Sequence, residues 1–179
     1  MATVHPDEFV EPQFEAILYH HIMVMSDAQG KGLDVLDEMV DTLEQIAMTQ
    51  MTREERKMLR KFKVLMSVLR DILAEKYENE LKQFRSDPYS EKHVFLRNKR
   101  DEDFEVFNAI YRDFKLRWIM ACIRSVFSQG KSEIYGEDEF FNDLKIELTF
   151  SISLYFPFSE EEFEEALKEA EERVENGGT

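Results

Sequence analysis

The sequence is poor in residues that interrupt or cross-link a chain. Of 179 residues, one is cysteine, six are glycine and four are proline. The lone Cys122 cannot form an internal disulfide or build a zinc cluster, and its apolar neighbourhood marks it as a small core residue. With Leu, Glu, Lys and Met plentiful, so few glycines and prolines predict a mostly helical chain with short connections. No run of about 18 uncharged apolar residues occurs, and no charged start leads into an apolar stretch and a small-residue cleavage site. Membrane spanning and secretion are therefore not expected, and the expected compartment is intracellular, the cytoplasm. Histidine is scarce as well. His5, His20, His21 and His93 form none of the Glu-x-x-His pairs with which di-iron bundles bind metal. No glycine pattern cradles a phosphate or a dinucleotide, and no Gly-x-Ser-x-Gly elbow presents a nucleophile. No cofactor is implied.

What the sequence has in abundance is carboxylate. The net charge is −15, and it is unevenly distributed. Residues 1–52 carry ten acidic side chains and one basic, residues 53–131 carry 13 and 19, and residues 132–179 carry 15 and three. An acidic beginning, a basic middle and an acidic end can steer a charged partner, or let the ends of the chain lie against its middle. The acidic total disfavours nucleic-acid binding, because backbone recognition gains from positive charge through counterion release.

Apolar spacing divides the chain into elements. A first helix is expected from Pro12 to the stop at Gln29-Gly30, and a second follows the stripe from Leu36 to Gln50 behind Asp34 as cap. Thr52 and Glu55 make a capping box for a third helix that holds its period to Phe84, before Asp87-Pro88. Its first half bears Arg53, Arg56, Lys57, Arg60, Lys61 and Lys63. Residues 86–100 read as a polar connection in which Val94–Arg97 could form a few residues of strand. A fourth helix, apolar nearly all round and hence central, is expected from Phe104 to Ser128. From Leu144 to Phe156 every even position is apolar, the period of a half-buried β-strand. Its mate would be Ser132–Tyr135, Val94–Arg97, the same strand of a second subunit, or a strand of another protein. Ser159 with Glu162 caps a last, glutamate-rich helix, with Phe158 and Phe163 placed as a hydrophobic staple.

The expected fold is thus mainly α: a single-domain bundle of about five helices with a C-terminal β-strand or hairpin and an acidic capping helix. Residues 1–11 are a loosely ordered segment, 12–130 the helical core, and 131–179 the strand plus acidic helix of the same domain. The expected function is non-enzymatic, that of an interaction, adaptor or assembly protein whose partner is another protein or a second copy as a homo-oligomer. The strand would supply main-chain pairing, with Leu148, Phe150, Ile152 and Leu154 giving specificity. Phe163 with Glu161 and Glu165 on the last helix, and Arg56 and Arg60 on the third, would complete the contact. One enzymatic alternative has a pattern behind it. Glu8-x-x-Glu11 followed by Glu38-x-x-Asp41 has the carboxylate spacing with which all-helical nucleotide pyrophosphohydrolases collect magnesium. Pro12 disturbs helical geometry at Glu11, leaving Glu38 and Asp41 as the metal candidates of that alternative. A second alternative is an acidic DNA-mimic inhibitor, permitted by charge and size.

Overall fold

The computed structural model describes residues 33–130, 136–151 and 157–177. Among them are five α-helices and one short 3₁₀ turn, with no strand. We number the helices α1 (Leu33–Met48), α2 (Arg53–Leu81), α3 (Glu91–Gln129), α4 (Glu137–Ser151) and α5 (Glu160–Glu175). The mainly helical class is as the sequence predicts. The expected first helix, Pro12 to Gly30, lies outside the described residues. No described helix is long and apolar enough to cross a membrane.

The caps explain where the helices begin. Thr52 accepts a hydrogen bond from the Glu55 N–H at 3.2 Å, and α2 starts at the next residue. Ser159 accepts from the Glu162 N–H at 3.0 Å while Glu162 accepts from the Ser159 N–H at 3.1 Å, the reciprocal box that starts α5. α3 begins 13 residues earlier than its apolar spacing suggests and has no strand at Val94–Arg97. Ser90 accepts from the His93 N–H at 3.2 Å and so caps it directly after Asp87-Pro88. None of residues 91–102 is buried, so the first turns of α3 show no core stripe, yet nothing in them breaks a helix. The acidic run Asp101–Asp103 therefore lies inside α3 and not at its start. Gly130, at φ 72°, ends the helix in the left-handed conformation that glycine tolerates.

The expected strand is the main correction. Residues 144–151 belong to α4, and residues 152–156, with Ile152 and Leu154, lie outside the described residues. Leu144 and Leu148 are 0% and 1% exposed, whereas Ile146 and Phe150 are 48% and 86% exposed. An alternating pattern contains a four-residue repeat, and residues four apart share one face of a helix. Phe140 and Phe141, just upstream, extend the buried stripe at helical spacing, and Glu137–Glu139 favour the helix start. Of the four described apolar members of the supposed strand, Leu144 and Leu148 thus face the core, and Ile146 and Phe150 face away from it.

The chain divides into two compact units. One gathers Met1–Arg56 with Arg112–Gly136, and the other Lys57–Tyr111 with Glu137–Thr179. In the first, Val40 and Ala47 of α1 are buried, as are Phe114, Trp118, Ile119 and Cys122 of α3, and the Cys122 thiol reaches the Ala47 carbonyl at 3.7 Å. In the second, the Phe62 and Phe140 rings meet edge to face at 5.2 Å, Phe140 packs on Phe141 at 5.3 Å, and Phe107 faces Phe158 at 6.4 Å.

The helical assignment of α4 predicts an asymmetry that a strand does not. Leu144→Ala should cost about 2–5 kcal/mol of stability, as a core truncation, and Ile146→Ala less than about 1 kcal/mol. Urea unfolding of the two variants measures the difference, and equal losses would contradict the helix.

Candidate functional site

Charged side chains fall into two kinds, those committed within a unit and those left on its surface. In the first unit, Lys115 of α3 is buried and lies 2.7 Å from the buried Glu44 carboxylate; it also donates to Asp41. Arg112, one turn earlier, donates to Asp37 at 3.0 Å. Glu44 stands on the α1 stripe between Val40 and Ala47, four and three residues away, where apolar periodicity alone gives no reason to place a carboxylate.

In the second unit, Lys61 is the corresponding buried cation. Its ammonium donates to Glu137 at the start of α4 and to Glu171 of α5 at 2.7 Å, and it lies 4.8 Å from the centre of the Phe141 ring. Burial alone would lower its pKa, but the two carboxylates outweigh this and hold it above the ordinary lysine value. Tyr77 is fully buried, and burial, followed by the hydrogen bond it donates to Asp103, pushes its phenol upward. Asp103 also pairs with Lys99 at 3.4 Å. Glu162 accepts from Lys76 at 2.7 Å. Burial works to raise this carboxyl, yet Lys76 and the Ser159 N–H together keep it below the usual value of 4.5.

The residues singled out in the sequence separate accordingly. Leu148 and Phe163 are core residues of the second unit, so among the described apolar members of the expected contact only Phe150 is open. Glu161 and Glu165 are exposed on α5, and Arg60 is exposed on α2. Arg56 is half-buried and donates to the Met51 carbonyl at 3.1 Å, a clamp on the α1–α2 connection. Of the magnesium candidates, Glu38 is exposed and Asp41 is held by Lys115, while Glu8 and Glu11 lie outside the described residues. His93 lies in the first turn of α3. Among the described residues no group of three or more His, Cys, Asp or Glu side chains could hold a metal ion. An open groove of about 660 Å³ lies where α2 turns into α3, lined by Phe84, Phe95 and Leu96 with Glu80 and Lys92 at its sides.

One surface escaped the sequence reading because it was assigned to the wrong period. On α4, Asp143, Ile146, Glu147 and Phe150 follow the spacing i, i+3, i+4, i+7 and share a face. Two apolar side chains are thereby set beside two carboxylates, away from the Leu144–Leu148 stripe. At the surface, Lys145 of α4 donates to Glu160 of α5 at 2.9 Å.

The Glu162 environment predicts an acid limb of stability. A carboxyl whose folded pKa is depressed contributes stability that is complete above 4.5 and is lost as pH falls through the lower folded value. Glu162→Gln keeps a capping side chain but removes the charge, so it should lose less than about 1 kcal/mol at neutral pH and flatten the fall below 4.5. Parallel acid losses in urea titrations of both proteins would remove Glu162 as the cause.

No family model, no curated protein and no solved structure matches the chain.

Proposed function

We propose that this chain is a non-enzymatic interaction or assembly protein that works through charged helical surfaces, with the outer face of α4 receiving a partner protein. The observation that carries this reading is Phe150, largely exposed one turn beyond the half-exposed Ile146. Burying a phenylalanine contributes roughly 1.5–3 kcal/mol, and an exposed pair of apolar residues at helical spacing is the anchor pattern of helix-in-groove recognition. Asp143 and Glu147 on the same face, with Glu161 and Glu165 exposed on the neighbouring α5, select an amphipathic partner with basic residues beside its apolar ones. Arg60 belongs to a second charged surface on α2.

The double substitution Ile146→Ser and Phe150→Ser tests the reading. Both positions are open, so unfolding stability should change little, within about 1 kcal/mol. Tagged wild-type protein exposed to nuclease-treated extract of its source cells should retain a protein at near-equal stoichiometry, and the double variant should lose it. Retention of the same protein by both forms would exclude this face as the contact.

A further inference from the structure

The outer face of α2 carries a charge order that its own helix does not favour. Positions 57, 60, 64, 67, 71, 74 and 78 follow the alternating three- and four-residue spacing that keeps one stripe of a helix facing one way, and none of them is buried. The stripe begins with Lys57 and Arg60, passes through Val64 and Ser67, and ends with Asp71 and Glu78, beside Glu75. Like charges are neighbours within the helix: Lys57 with Arg60, Asp71 with Glu75, and Glu75 with Glu78. Such pairs repel at these separations. The last turn, where the helix dipole favours cations, has no basic residue. Among the described residues, none of Lys57, Arg60, Asp71, Glu75 and Glu78 has an ion-pair partner. Neither helix stability nor pairing among the described residues therefore accounts for the segregation.

The spacing is also symmetric. A two-fold axis midway between positions 64 and 67 exchanges 60 with 71 and 57 with 74. We propose that two copies of the chain pair antiparallel along this face of α2, about that axis. Arg60 of one copy then meets Asp71 of the other, Lys57 meets the Glu75 that flanks Ala74, and Val64 meets Ser67. Each contact is made twice, as in any isologous dimer. Parallel pairing in register would instead set Arg60 against Arg60 and Asp71 against Asp71. From Lys57 to Glu78 the face is about 30 Å long, at about 1.5 Å per residue, and one helix wide. A contact so narrow lies at the small end of protein interfaces, so the dimer is weak, reversible and sensitive to salt. The proposal rests on the reading of the chain as an interaction protein and names the partner of one face.

Sedimentation equilibrium of the full chain tests it, at about 0.1 M and about 1 M salt, between which the screening length falls from about 10 to about 3 Å. A monomer–dimer equilibrium is expected at low salt, shifting to monomer at high salt. Arg60→Glu alone and Asp71→Arg alone should each weaken association about tenfold or more, because two attractive contacts become two repulsive ones. An equal mixture of the two variants, or both substitutions in one chain, should restore the dimer, because opposite charges meet again. Circular dichroism of each variant establishes that the helices are intact. A wild type that stays monomeric at low salt overturns the proposal, as does a dimer indifferent to both substitutions or a mixture that fails to recover. Partner capture through Ile146 and Phe150 is read separately, so a monomer that still captures its partner rejects the α2 dimer and leaves the α4 surface standing.

Discussion

Lys61 is the point on which the second unit turns. It is a buried cation set over the Phe141 ring, and the carboxylates that make its burial tolerable come from the first residue of α4 and from α5. An unpaired ammonium there would be strongly disfavoured, so α2 keeps its charge inside only while both helices are docked. The apolar stripes of α4 and α5 supply the non-directional attraction, and Lys61 supplies a directional condition on how they lie. Lys115 imposes the same condition in the first unit, fixing α1 through Asp41 and Glu44.

These two lysines give the uneven charge of the sequence a physical meaning. The acidic first segment meets the basic middle at Asp37–Arg112 and at Asp41 and Glu44 with Lys115. The acidic last segment meets it at Lys61 and at Lys76–Glu162. Part of the asymmetry is thus consumed inside each unit. The remainder, cations on the first half of the α2 face, anions on its second half and several carboxylates of α5, stays exposed and is not consumed by pairing among the described residues.

Capping chemistry was the most legible part of the fold. Thr52 and Ser159 announce their helices because a hydroxyl at that position satisfies a specific backbone N–H, a matter settled within four residues. Ser90 acts in the same way, but with His93 in the third place it lacks the reciprocal carboxylate that completes a recognisable box, and the exposed turns after it hide the helix from periodicity. The α4 segment failed for a different reason. A run of alternating apolar residues satisfies both a strand and, at every second member, a helix, and only Phe140 and Phe141 break the tie. The expected contact residues inherited that error: Leu148 faces the core, whereas Phe150 remains open through being on the opposite face.

What the sequence by itself determined is local: the helical class, the hydroxyl caps at Thr52 and Ser159, the burial of Cys122, and the partition of charge along the chain. Each depends on interactions between residues a few positions apart, or on composition, and both are written in the order of the letters. What only the tertiary structure decided is which carboxylate answers which cation and which half of an alternating run is buried. Lys61 finds Glu171 across 110 positions and Lys115 finds Asp41 across 74. Those choices depend on which faces of distant helices meet, and burial, which gives a charge its energetic weight, exists only after they have met.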